Sequence, residues 1–122
     1  MNITEKLLVG FVALQHFAFF VLESILWGSD IAMKVFKVDA EKSAILAQGM
    51  VNQGVYNLFL TAGLIWALVN KEFSYQLKVF FLGCVIVAGL VGGFSVKVSI
   101  LFVQGLPAAI ALAIVYLNQK KN

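Results

Sequence analysis

The sequence predicts an all-α, polytopic membrane protein in which four transmembrane helices form an antiparallel bundle. Hydrophobic residues make up 61% of the 122 residues and charged residues only 12%, about half the charged share of a typical soluble domain. The mean hydropathy is +0.95. Four apolar stretches each approach the roughly 20 residues needed to cross a bilayer. Together these observations exclude a secreted disulfide scaffold, a nucleic-acid module and an ordinary soluble enzyme.

One domain is expected to cover residues 1–122, with spans at about residues 7–27, 44–69, 77–95 and 98–117. Asp39 is a suitable N-cap for the second of these helices, because its short side chain can accept a hydrogen bond from the first helical turn. The connection between the first two spans places Ile31, Val35 and Val38 at helical spacing. It is therefore predicted to form a short amphipathic helix on the surface.

The net charge of +3 comes from nine lysines and six acidic residues. The lysines lie at the ends of the apolar stretches, where they can snorkel to the membrane surface, so nucleic-acid binding is not expected. They are Lys6, Lys34, Lys37, Lys42, Lys71, Lys78, Lys97, Lys120 and Lys121. Four spans put five of them on the side of both termini and four on the other. The positive-inside rule then predicts a multi-pass cell-membrane protein with its termini inside.

Polar side chains within the spans are candidates for function, because burying them in hydrocarbon is costly. The first span contains His16 and Glu23. Seven residues turn a helix by about 700°, so these two side chains share one face to within roughly 20°. They are separated by about 10 Å along the helix axis, which is too far for a direct hydrogen bond. A buried carboxyl must be either protonated or paired, so each group needs a partner elsewhere.

Depth in the membrane suggests a partner for Glu23. In antiparallel first and second helices, Trp27 and Ala44 would lie at the same membrane face. Counted from that face, Glu23 and Gln48 are each about 6 Å deep, and Asn52 is about 12 Å deep. Glu23 is therefore predicted to pair with Gln48 or Asn52.

The same count places His16 and Tyr56 about 16–18 Å deep, so His16 is predicted to pair with Tyr56 or Asn57. Amides such as Gln53 and Asn57 can equally serve as hydrogen-bonding contacts between helices, with no ligand.

A lone histidine is more often a core residue than a metal ligand. Since no His, Cys or Asp cluster has zinc-like spacing, no metal and no cofactor are expected.

The fourth span adds Gln104, about 9 Å from the same face. Pro107 lacks an N–H group, which frees the carbonyl of Val103 and favours a kink. In the third span, Gly89 and Gly93 form a small-xxx-small pair that allows a close backbone approach. An off-centre polar pocket is therefore predicted, opening toward the 28–43 connection. Its ligand residues would be Glu23, Trp27, His16, Gln48, Asn52, Gln53, Tyr56, Asn57 and Gln104, and its packing residues Gly89, Gly92, Gly93 and Pro107.

Three segments of the chain are sequence motifs found in a known family: Glu23-Ser-Ile-Leu-Trp27, Asn52-Gln-Gly-Val-Tyr-Asn57 and Gln104-Gly-Leu-Pro-Ala108. In these segments, in length and in number of spans, the chain resembles the small bacterial membrane proteins grouped as domain of unknown function 1304. The second segment is the most specific, although Leu58 stands where the family commonly shows glycine. The resemblance implies a four-span integral membrane protein and carries no activity with it.

Three functions fit these residues. The first is binding or transport of a small, partly apolar molecule, amphipathic or cationic, by a homo-oligomer surrounded by membrane lipid. Glu23 would meet the cation or exchange a proton, and Asn52, Tyr56 and Gln104 would orient the ligand. The second is a membrane-embedded enzyme that acts on a lipid-soluble substrate by proton transfer, with His16 and Glu23 as acid and base and Tyr56 assisting. The third is a structural accessory subunit.

Overall fold

A computed structural model of the chain describes residues 1–121, and these residues form helices without any strand. The all-α prediction is confirmed. The helices, in chain order, are α1 (Ile3–Phe20), a π-helical turn π1 (Val21–Ile25), α2 (Asp30–Phe36), α3 (Ala40–Val69), α4 (Ser74–Ser95), α5 (Val98–Ile100), a second π-helical turn π2 (Leu101–Gly105) and α6 (Leu106–Lys121).

Three helical segments of the described chain, not four, are long and apolar enough to cross a membrane. They are Ile3–Ile25, Ser74–Ser95 and Val98–Lys121. The expectation of a fourth apolar span near residues 44–69 is corrected here. The helix in that region, α3, is long enough at 30 residues. Its apolar runs are interrupted by amide side chains, which are costly to place in hydrocarbon, at Gln48, Asn52, Gln53 and Asn57.

The connection between α1 and α3 contains the short helix that the sequence predicts. The Ser29 hydroxyl accepts a hydrogen bond from a backbone N–H in the first turn of α2. The helix ends at Lys37, whose φ of 56° is left-handed, a common helix termination. Asp39 then caps α3: its Oδ1 accepts a 2.8 Å hydrogen bond from the backbone N–H of Lys42. The predicted N-cap is confirmed.

The chain divides into two compact units. The terminal unit comprises residues 1–13 and the chain from Ala62 onward, and the internal unit comprises residues 14–61. The largest fully buried side chains of the terminal unit are apolar: Val9, Val12, Leu64, Leu82, Val85 and Val115. Buried residues of the internal unit are mostly polar: His16, Glu23, Ala32, Ser43, Gly54, Asn57 and Thr61. Of the seven buried polar or charged residues in the described chain, five therefore lie in the internal unit, and the other two, Glu5 and Lys78, lie in the terminal unit.

Two π-helical turns interrupt the long helices. In π1, the Leu26 N–H donates to the Val21 carbonyl at 2.8 Å, five residues back rather than four. In π2, Leu106 makes the equivalent bond to Leu101. Pro107 follows π2. In a regular α-helix a proline ring would clash with the carbonyl four residues back, so the regular pattern cannot continue through this position. Such turns are frequent at functional sites, and these two contain Glu23 and Gln104.

Candidate functional site

The internal unit holds a buried carboxylate–amide pair between π1 and α3. The Asn57 amide nitrogen donates to Oε1 of Glu23 at 2.7 Å and lies 3.4 Å from Oε2. Both side chains are 5% exposed. The Asn57 carbonyl in turn accepts a 3.0 Å hydrogen bond from the Thr61 hydroxyl. Because an amide is neutral, this pairing satisfies hydrogen bonding but does not neutralise a carboxylate.

A close backbone approach brings Glu23 to Asn57. The Ser24 hydroxyl donates to the Val51 carbonyl of α3 at 2.7 Å. One turn further along α3, Gly54 faces π1 so closely that an added Cβ would lie 2.9 Å from the Ser24 amide nitrogen and 3.0 Å from the Glu23 Cβ. A side chain at this position would push the two segments apart. Gly54 therefore sets the distance across which Asn57 reaches the carboxylate.

We expect Gly54→Ala to lower the free energy of unfolding by about 1–2 kcal/mol, because overpacking forces backbone shifts. Gly49→Ala is the matched control: it makes the same change on α3, and its added Cβ would meet nothing within 4 Å. The control should be neutral or stabilising by up to about 1 kcal/mol, since alanine favours a helix over glycine. Denaturant unfolding of the detergent-solubilised protein, followed by circular dichroism, measures both. Equal effects of the two variants would refute the close approach.

The partner of Glu23 differs from the one predicted by depth. Depth alone paired this carboxylate with Gln48 or Asn52, and that pairing is wrong, because the amide that reaches it belongs to Asn57. The count assumed a continuous α-helix as far as Trp27. In the structure the helix widens into π1 and the chain leaves it at Leu26, so helical rise per residue no longer measures depth there.

The remaining predicted ligand residues occupy varied positions. Gln48, Asn52, Gln53 and Tyr56 are exposed on α3. His16 is fully buried, and its ring lies 5.3 Å from that of Phe19 in an edge-to-face arrangement. Gln104 is partly buried in π2 of the terminal unit. Their roles toward a ligand stay predictions. Among the described residues, no group of three or more His, Cys, Asp or Glu side chains could hold a metal ion.

Trp27 lies beside a small concavity on the side of the 28–43 connection. Its indole N–H donates to the Ser43 carbonyl at 2.8 Å, and its ring lies 5.2 Å from that of Phe36. The neighbouring Gly28 has a φ of 90°, which allows the chain to turn here. The concavity measures about 200 Å³ and is lined by Trp27, Gly28, Met33, Ala40, Ser43, Ala44 and Ala47. This lining, mostly apolar, includes neither Glu23 nor Asn57.

The terminal unit contains a second polar centre, which the sequence reasoning missed. Lys78 of α4 forms an ion pair with Oε1 of Glu5 in α1, and both side chains are buried. Asn118 of α6 donates to Oε2 of Glu5 at 2.9 Å. Interpreting Lys78 as one of the lysines that flank the spans concealed this contact. The available signal was an acid and a lysine at the starts of two spans expected on the same membrane side.

Glycines in the terminal unit lie where α4 meets the segment before α6. A Cβ added at Gly89 would be 2.8 Å from both the Cα and the nitrogen of Gly105. One added at Gly93 would be 2.7 Å from the Cβ of Leu101, and one at Gly92 would be 2.8 Å from a methyl group of Ile100. The helix and π2 thus approach each other backbone to backbone at Gly89.

Fold and site together define an all-helical protein with three helices of membrane-spanning length and a buried carboxylate–amide pair. The chain belongs to the family described as "Protein of unknown function (DUF1304)", whose sequence profile matches residues 10–116. This confirms the family expected from the three segments that begin at Glu23, Asn52 and Gln104. No curated protein and no solved structure matches the chain.

Proposed function

We propose that this chain is a multi-pass integral membrane protein that binds a proton or a small, partly apolar cation at Glu23 and transports it. The observation that carries the proposal is the buried Glu23 carboxylate, whose hydrogen-bond partner is the neutral amide of Asn57. A carboxylate away from water is stable only when it is protonated or compensated by a positive charge. Exchange between these two forms would couple cation binding to proton release.

Support for the membrane location comes from the surfaces of the three apolar helices. Large apolar side chains are exposed on each of them, including Leu14 at 69%, Phe94 at 82% and Phe102 at 58%. Leaving many large apolar side chains exposed is unfavourable in water and favours a lipid environment. The backbone polar groups of these segments are bonded within helices, as a span in lipid requires.

Contacts in the terminal unit support placing both chain ends on one membrane side. The Glu5–Asn118 hydrogen bond joins the first turn of α1 to the last turn of α6, and the Lys78–Glu5 ion pair adds the start of α4. The chain leaves this end in α1 and begins α4 at the same end, so it must return in between. With five lysines assigned to the side of the termini and four to the other side, the positive-inside rule favours placing the termini inside the cell.

Titration with tetraphenylphosphonium, a small apolar cation, tests the proposal on the full chain in uncharged detergent. Wild type should bind it more tightly as pH rises, because the cation displaces a proton from Glu23, and the released proton should be detected by an indicator dye. Glu23→Gln should weaken binding by at least about tenfold and abolish the pH dependence. Glu41→Gln, the same change at an exposed carboxylate of α3, should leave both unchanged.

Other outcomes would refute the proposal. Unchanged binding and unchanged proton release in Glu23→Gln would place any cation site elsewhere. Reduced folding or assembly of Glu23→Gln, with no cation binding by wild type, would make Glu23 a structural residue. Native mass spectrometry of the same two samples reports the number of chains, where we propose a homo-oligomer. It also shows any co-purified molecule present in wild type and lost in the variant.

A further inference from the structure

A large open concavity lies in the terminal unit, apart from Glu23. Its volume is about 580 Å³, within the range of small-molecule sites. Its lining comes from the first turn of α1, the end of α3, the loop between α3 and α4, the start of α4 and the end of α6. Most of the lining side chains are polar or charged.

The two buried charged residues that line the concavity carry no net charge together. Glu5 and Lys78 are each 4% exposed, and their charges cancel in a buried ion pair. Asn118 occupies the second carboxylate oxygen through its 2.9 Å hydrogen bond. The acid is therefore fully engaged by groups of the protein and does not repel an anion bound above it.

The rim of the concavity supplies positive charge and hydrogen-bond donors. Lys6 and Lys71 line it and are exposed, against the single acid Glu72, so these three residues leave a net charge of +1. The side-chain oxygen of Asn70 accepts hydrogen bonds from the backbone N–H groups of residues 72 and 73 at 3.0 and 2.6 Å. This leaves the Asn70 amide NH₂ as a donor, and Tyr75 adds a hydroxyl.

We propose that this concavity binds a phosphate group, supplied by the headgroup of an anionic phospholipid or by a soluble glycerophosphate. Lysines and amide N–H groups are suitable donors for phosphate oxygens. The concavity lies at the ends of helices that are long enough to span, which is the level of lipid headgroups in a bilayer. The lipid source rests on the proposed membrane location, whereas the phosphate site itself does not and does not involve Glu23.

Calorimetric titration of the full chain in uncharged detergent tests the site with three probes. These are dihexanoylphosphatidylglycerol, glycerol phosphate and the phosphate-free dihexanoylglycerol. We expect saturable binding of phosphate-bearing probes only. Lys6→Gln and Lys71→Gln should each weaken it about fivefold, and the double variant about 25-fold. Lys97→Gln, the same change at an exposed lysine outside the concavity, should weaken binding less than about twofold.

Binding of the phospholipid and of glycerol phosphate would support a phosphate site open to soluble compounds, and binding of the phospholipid alone would support a headgroup site. Absence of saturable binding to either phosphate-bearing probe would overturn the proposal. An equal loss of affinity for the phosphate-bearing probes in Lys97→Gln and Lys71→Gln would also overturn the proposal, because binding would then depend on the overall charge of the protein. The Glu23→Gln variant should bind these probes as wild type does, which separates this result from the cation-binding test.

Discussion

We expect the Lys78→Met variant to lose about 3–5 kcal/mol of its free energy of unfolding. Lys78 and Glu5 are both 4% exposed and form an ion pair between α4 and α1. Removing the ammonium group leaves the Glu5 carboxylate buried without its ion-pair partner, and the Asn118 amide that still donates to it is neutral. An uncompensated buried charge is much more costly than the net worth of the pair itself. Denaturant titration of the purified protein in detergent, followed by tryptophan fluorescence, measures the loss.

The double variant Glu5→Gln with Lys78→Met is the decisive control. Removing both charges is often close to neutral, so the double variant should recover most of the stability lost by the single one, and the two changes should be strongly non-additive. Lys97→Met, the same change at an exposed position, should shift stability by less than about 0.5 kcal/mol. If Lys78→Met were as stable as wild type, the ion pair would not contribute to the fold.

Gly89→Ala is expected to have the second largest effect, a loss of about 3 kcal/mol. The added Cβ would lie 2.8 Å from the Cα and from the nitrogen of Gly105. Both are backbone atoms, so no side-chain rotation can relieve the clash, and α4 would have to move away from π2. Overpacking of this kind typically costs about 1–3 kcal/mol, and the absence of a flexible neighbour places this variant at the upper end.

Gly83→Ala provides the matched control on the same helix. Its added Cβ would have no neighbour within 4 Å, so the change should be neutral or stabilise the protein by up to about 1 kcal/mol. The two variants share the same gain in helix propensity, and the difference between them isolates the contact with Gly105. Thermal unfolding of both in one detergent gives this difference. A value near zero would contradict the backbone contact.

Several features of this protein follow from the sequence alone. The helical class, the approximate bounds of the three membrane-length segments Ile3–Ile25, Ser74–Ser95 and Val98–Lys121, and the short helix before α3 agree with the structure. The Asp39 cap was also predictable. These are local properties. Hydrophobic runs, helix periodicity and capping depend on residues only a few positions apart, so they can be read from the sequence directly. The family was recognised from three short segments, which begin at Glu23, Asn52 and Gln104, together with the chain length and the number of spans.

Tertiary structure decided which polar groups meet. Asn57 rather than Gln48 reaches Glu23, because π1 and the exit of the chain at Leu26 change the register between two helices. Lys78 turns inward to Glu5 instead of outward as a flanking lysine. Contacts between helices depend on crossing, rotation and local widening, and each shifts a side chain by several ångströms while leaving the hydrophobic pattern unchanged. Sequence periodicity therefore predicts the helices, and only their packing determines the partners of their buried charges.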